Sequence, residues 1–203
     1  MNNFFKYLLL LSGVILLIFT SLIIPEKELT EYGKWLEFYK IKHSSFSKVG
    51  KDVERKTEWF EYNLDDEFEE LYKPFRLYSE DSLYFIDLDS YSLELRSDNG
   101  KLISSGSEID RKAQVIRKSD NKAAILLFCG SLCYPETSNW LTSNTVEILG
   151  FSLNDKDQFI PTKWKVDIFN MIFSTYESDQ IFVKMPVSYM EKVRLKKVEF
   201  KIE

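Results

Sequence analysis

Histidine and cysteine are almost missing from this 203-residue chain, which has one of the former, His43, and two of the latter, Cys129 and Cys133. A zinc site takes about four Cys, His or carboxylate ligands, so no His/Cys metal cluster can be assembled. His43 reads as a solvated loop residue and not as a general base. Neither a glycine-rich phosphate loop nor a G-x-S-x-G nucleophile elbow occurs. A surplus of positive charge is lacking too: 27 Lys and Arg stand against 32 Asp and Glu, for a net charge of -5. That sign argues against nucleic acid as a partner, because such affinity rests on neutralising phosphates, and against broad docking on anionic lipid. The expectation is therefore no cofactor, no metal and no catalytic residues.

What is present begins with a hydrophobic run. Leu8 to Ile24 carries no charge over seventeen residues, and Phe4, Phe5 and Tyr7 extend it around Lys6. Residues 4–24 thus reach the ~20 apolar residues a helix needs to span a bilayer. The competing reading is a cleaved signal peptide, with an apolar core of ~7–15 residues and an A-x-A-like exit. Here the exit is Phe19-Thr20-Ser21-Leu22-Ile23-Ile24-Pro25, without such a small pair. Lys6 and the α-amino group on one flank, against Glu26, Lys27 and Glu28 on the other, bias the N-terminus to the cytoplasmic side. The expectation is a single-pass cell-membrane protein with its C-terminal domain outside the cytoplasm, or, after cleavage, a secreted one. Lys6 is the only charged side chain among residues 1–24, so the exported remainder of 179 residues keeps 26 basic against 32 acidic residues.

Residues 26–73 read as a helical stalk or collar. Leu29, Tyr32, Leu36 and Tyr39 make one helical stripe, interrupted at Gly33. A second helix is expected from about Asp65 to Tyr72, with Asn63 as its cap and Pro74 beyond its end, and the polar stretch His43 to Lys51 between the two reads as a loop. The acidic run Asp65-Asp66-Glu67 suits that helix's N-terminus.

From residue 74 to 203 the apolar period becomes two. Strands are expected at Leu83–Leu88, Tyr91–Leu95, Lys101–Ile103, Ala113–Arg117, Ala123–Phe128, Thr145–Phe151, Thr162–Ile168, Gln180–Met185 and Val193–Lys201, with turns at Asp98-Asn99-Gly100, Asp120-Asn121 and Asn154 to Asp157. The fold class is mainly β, an antiparallel meander behind an N-terminal transmembrane helix (residues 1–25) and a short helical collar.

Three segments, Tyr78 to Phe85, Trp140 to Ile148 and Pro161 to Ile168, resemble hairpins of β-propeller blades, in which a strand ends in a "Ser-x-Asp" or "Trp-x-x-Asn" turn. The likeness covers about 90 residues and extends to short exported bacterial proteins of unknown function. It implies an architecture and carries no site residues. A closed propeller takes about four blades of four strands, more than roughly nine strands supply. The alternatives are a blade-like open sheet that pairs with another copy or partner, or a β-sandwich. Trp140 and Trp164 are expected in the core.

Several patterns invite a chemical reading. Ser45-Phe46-Ser47-Lys48 fits S-x-x-K, and Ser97-Asp98-Asn99 and Ser119-Asp120-Asn121 fit S-D-N, two of three signatures of serine β-lactamases. The third, K-T-G, is only approached, by Lys56-Thr57-Glu58 in the wrong order. Asp87-x-Asp89 and Asp155-x-Asp157 offer carboxylates for calcium but do not continue into a twelve-residue loop, so turn chemistry accounts for them better. Cys129 and Cys133, spaced C-x3-C, favour a disulfide in an exported chain, with buried free thiols as the alternative. The functional expectation is a non-catalytic binding or envelope-assembly module, with a protein partner or self-association. The rival is a small envelope hydrolase, using Ser45 and Lys48 or a carbohydrate-active site on the acidic turns.

Overall fold

The computed structural model describes residues 29–63, 65–107 and 110–201. The run 4–24 lies outside these residues, and among the described residues no helix is long and apolar enough to cross a membrane. The chain is mainly β. In order, α1 is Glu31–Tyr39, β1 Phe46–Glu54, β2 Phe60–Glu61, α2 Asp66–Tyr72, β3 Leu77–Tyr78, β4 Tyr84–Asp87, β5 Leu93–Asp98 and β6 Lys101–Ser107. There follow β7 Arg111–Arg117, β8 Lys122–Cys129, β9 Cys133–Thr142, β10 Thr145–Leu153, β11 Phe159–Asp167, β12 Ile172–Ser178, a π-helical turn Met190–Arg194, and β13 Val198–Phe200.

The strands form three sheets. One has the order β1-β12-β11-β10-β9, a second β2-β8-β7-β4-β3, and a third, smaller one β13-β6-β5. Among the described residues all pairings are antiparallel except β13 on β6. Side chains from the two large sheets meet in one buried cluster: Val146 and Ile148 of β10 and Val166 of β11 from the first, Val115 of β7 and Leu126 of β8 from the second. The opposite face of β10 is covered as well, since Leu149 and Phe151 pack with Trp35 and Tyr39 of α1. A strand buried on both sides needs a continuous apolar run, and Val146 to Phe151, with only Glu147 and Gly150 departing from it, is the one the sequence offers here.

Both expected helices form, with altered details. Thr30 caps α1 through its hydroxyl, which accepts from Gly33 N. The cap of α2 is Asp65, accepting from Phe68 N at 2.7 Å, and not Asn63: a residue directly before the first turn reaches the free N–H groups, one two residues earlier does not. The loop expected at His43 to Lys51 is instead mostly strand. Phe46–Glu54 pairs with Ile172–Ser178 at the edge of the first sheet, and its exposed, polar face hides an edge strand from any burial-based reading. Residues of the expected collar therefore lie in the sheet. Ile172–Ser178 was likewise not anticipated, and Gln180–Met185 contributes only one bridge, Phe159 to Phe182. The Asp98-Asn99-Gly100 turn holds as expected, with Asn99 at φ 52° and Gly100 at φ 77°, the left-handed values a tight hairpin asks for.

Candidate functional site

The centre of the site is made by an irregularity in β9. Its register against β10 runs Leu149 to Thr137 and then Gly150 to Pro135, leaving Glu136 as an extra residue, a β-bulge. Two residues make this possible. Pro135 brings no N–H that would be left unpaired. Gly150 has no side chain, and a Cβ there would lie 2.0 Å from the Tyr134 carbonyl oxygen. The extra residue breaks the alternation, so Glu136 and Thr137 both reach the α1 side, where Thr137 contacts Glu31 and Glu136 meets Trp35 and Tyr39.

The Glu136 carboxyl is 2 % exposed and surrounded by donors. Trp35 Nε1 donates to Oε2 at 2.9 Å, Tyr39 Oη stands 2.8 Å from the same oxygen, and Ser188 Oγ and the Tyr189 N–H each reach Oε1 at 3.0 Å. Burial pushes the Glu136 carboxyl above its ordinary range, against the pull of those hydrogen bonds. Tyr39 is raised by burial and by Glu136. Its hydroxyl also lies 3.1 Å from the Val187 carbonyl, so its one proton has two acceptors.

Beside this network sits a second, built on Arg194. Its Nη1 and Nη2 each donate to Asp89 at 2.6 Å, and its Nε donates to the Glu136 carbonyl at 2.7 Å. Burial opposes the guanidinium charge, yet Asp89 outweighs it and raises the pKa. Asp87, two residues from Asp89, accepts from Tyr62 Oη at 2.7 Å, Gln114 Nε2 at 2.9 Å and the Asp89 and Ser90 N–H groups at 2.9 and 3.0 Å. Burial works against its charge as well, but these bonds, with that from the Ser90 hydroxyl, hold it below the usual carboxylate range. Asp87 and Asp89 are thus spent on internal hydrogen bonds and an ion pair, a stronger commitment than the turn chemistry expected of them.

A cavity of about 480 Å³ opens over the bulge. Tyr134 and Pro135 of β9 wall one side, and Met185, Pro186, Val187 and Met190 the other. Arg111, the first residue of β7, lines it too, with Nη1 buried and without a hydrogen-bond partner. No family model, curated protein or solved structure matches this chain.

The other residues singled out in the sequence lie elsewhere. Ser45 is in a 3-10 turn, its hydroxyl 2.7 Å from the Lys42 carbonyl and from Ser178 Oγ. Lys48 is on β1, ion-paired with Asp52 at 2.7 Å, where a serine acyl-transfer site would need it one helical turn from Ser45. Asp120 pairs with Arg117, and His43 is exposed, edge-on to Tyr32. Among the described residues no three His, Cys, Asp or Glu side chains are grouped to hold a metal. Cys129 ends β8 and Cys133 begins β9, with α-carbons 5.3 Å apart, within disulfide reach. Trp140 and Trp164 pack against the central core, and Trp140 Nε1 donates to the Leu77 carbonyl. Sequence reasoning passed over Trp35, Arg111, Glu136 and Arg194. The available signal was Pro135-Glu136 between residues of strand character, since proline within a strand marks a sheet edge or a bulge, and β9 is both.

Proposed function

We propose that the chain is a non-catalytic binding or assembly module of the cell envelope, tethered through residues 4–24 with its β-rich part outside the cytoplasm. The observation that carries the binding reading is the segment Ile181 to Val187. Its alternate residues Ile181, Val183, Met185 and Val187 are 51, 74, 39 and 62 % exposed, while Phe182 between them packs inward against the α1 cluster. A cluster of large exposed apolar side chains marks a contact surface, and among the described residues the segment's backbone is joined to β11 only at Phe182. A segment with so few backbone pairings of its own can accept another strand or a second copy. The buried carboxylates point the same way, since their hydrogen bonds hold the fold together. The shared core of the two large sheets supports the sandwich form over an open blade-like sheet.

The test is cross-linking in intact cells followed by mass spectrometry, for the natural chain and for Val183→Asp, a change at an exposed position. Cross-links to a partner or a second copy are expected through 181–187 and are lost in the variant. Cross-links unaffected by Val183→Asp, or none at all, would overturn the reading.

A further inference from the structure

We propose that Glu136 is a proton-controlled latch for the 181–187 surface. As a neutral acid it leaves the Tyr39 hydroxyl on the Val187 carbonyl and the segment is held in place; as a carboxylate it takes that hydroxyl and frees the segment to meet a partner. This rests on the reading of 181–187 as a contact surface and gives that surface its control.

The latch follows from counting fastenings and protons. Phe182 is bridged to Phe159. Between Phe182 and Ser188, among the described residues, the backbone makes one hydrogen bond, accepted by the Val187 carbonyl from Tyr39 Oη at 3.1 Å. Trp35 Nε1 and the Tyr189 N–H can only donate, whereas the Tyr39 hydroxyl has one proton to give and can also accept. With Glu136 neutral, one arrangement satisfies its two oxygens and Tyr39 together. The carboxyl proton goes to Ser188 Oγ, Trp35 donates to Oε2, the Tyr189 N–H goes to Tyr39 Oη at 2.8 Å, and Tyr39 donates to Val187.

Ionisation makes the carboxyl an acceptor at both oxygens, and bonds to a charged acceptor are about twice as strong as neutral ones. Tyr39 Oη lies 2.8 Å from Oε2 and 3.1 Å from the Val187 carbonyl, so its proton turns to Glu136 and the carbonyl loses its donor. Ser188 Oγ and the Tyr189 N–H stay on Oε1, and the segment pivots there. Burial raises the Glu136 pKa, so the latch is closed at the ordinary carboxyl value and opens as pH rises through the raised one.

The charged groups facing Glu136 come from several elements. Arg111 of β7, with Glu191 and Lys192 of the π-helical turn, lines the same cavity, and Arg194 of that turn donates to the Glu136 carbonyl. Glu31 of α1 is ion-paired with Lys34 and Asp89 with Arg194. Glu191 is the remaining acid at this wall, so Glu191→Gln serves as a control.

A nitroxide on Val183→Cys reads the segment in the full-length chain in detergent micelles, with Cys129 and Cys133 oxidised. A label on Phe169→Cys, in the β11–β12 turn, is the reference in a separate sample; both positions are exposed. From about pH 4 upward the ratio of mobile to held label at 183 is expected to rise about fivefold, the effect of one hydrogen bond. The label at 169 is expected not to change, and Glu191→Gln to leave the profile at 183 in place. In Glu136→Gln, which stays neutral, the label is expected to remain held at every pH. In Tyr39→Phe, which has no hydroxyl to turn, it is expected to be mobile at every pH. A flat profile at 183 in the otherwise natural chain, equal loosening at 169, loss of the profile in Glu191→Gln, or a pH response that survives in folded Glu136→Gln or Tyr39→Phe overturns the latch. Where those two variants fail to fold, the profiles at 183 and 169 decide. A failed latch with the cross-links through 181–187 intact leaves the contact surface standing. A working latch without cross-links at any pH overturns the contact surface and the latch's role in meeting a partner.

Discussion

Replacing Arg194 by alanine removes the only side-chain cation that meets Asp89 at hydrogen-bond distance among the described residues. The carboxylate left behind is 3 % exposed, so water cannot take the place of the guanidinium without opening the fold. Breaking a buried pair from one side costs about 3–5 kcal/mol, and the Glu136 carbonyl loses its 2.7 Å donor in the same step. For a chain of this size each kcal/mol moves the melting temperature by about 2–4 °C, so Arg194→Ala is expected to lower it by roughly 6–20 °C. Thermal and urea unfolding of the full-length chain, followed by tryptophan fluorescence and far-ultraviolet circular dichroism, measure this. The double variant Arg194→Met, Asp89→Leu supplies the decisive comparison. It removes both charges and fills both spaces, so it is expected to be more stable than Arg194→Ala by at least about 1 kcal/mol. A loss below about 1 kcal/mol in Arg194→Ala, or a double variant as unstable as the sum of its singles, would refute the account of Asp89 as a dry, paired carboxylate.

Three further outcomes follow from the same geometry. Gly150→Ala places a methyl on the Tyr134 carbonyl and is expected to cost about 1–3 kcal/mol or more; an unchanged urea midpoint would show that the β9 bulge relaxes without cost. The two acidic networks respond to pH with opposite signs. The folded pKa of Glu136 is raised, so its share of stability is complete below the ordinary carboxyl value and is lost as pH rises through the raised one. That of Asp87 is lowered, so its share is complete above the ordinary value and is lost as pH falls through the lowered one. In urea titrations, stability relative to Glu136→Gln should therefore fall on going up from about pH 4, and stability relative to Asp87→Asn should fall on going down from it; parallel pH curves for wild type and variants would contradict both. Cys129 and Cys133 should resist alkylation until a reductant is added, and Cys133→Ser should cost less than the ~3 kcal/mol expected of a 15-residue loop, because the ring is small.

The elements that carried a local signal were legible in the sequence, and those defined by distant partners were not. Both helices, the Asp98-Asn99-Gly100 hairpin and the alternation in Ala113–Arg117 and Ala123–Phe128 lie within the elements formed, because capping, turn chemistry and one-sided burial act over a few residues. Strand β1 escaped because its exposed face has no apolar alternation, and only its hydrogen bonds to β12 make it a strand. Gln180–Met185 misled in the opposite way: it alternates well, but most of its apolar side chains face outward, and among the described residues it is held by one bridge and by the inward packing of Phe182. The cavity was illegible for a related reason. Arg111, Glu136 and the 185–192 segment are brought together by a bulge and a long return of the chain, and no spacing in the sequence encodes that meeting.

The hydrogen bonds around Glu136 also set an order of assembly. Trp35 and Glu136 are separated by 101 residues, Asp89 and Arg194 by 105, and Tyr39 and Tyr189 by 150. Strands β9 to β12 are consecutive neighbours and can zip together through short turns, whereas these closures must gather distant chain and belong to the slow part of folding. Until β1 pairs with it, β12 presents an open edge, and until α1 docks, Trp35 and Tyr39 have nothing to cover. Segments α1 and β1 are synthesised before the sheet that they complete, so loop-closure entropy predicts that this earlier-made stretch is buried late.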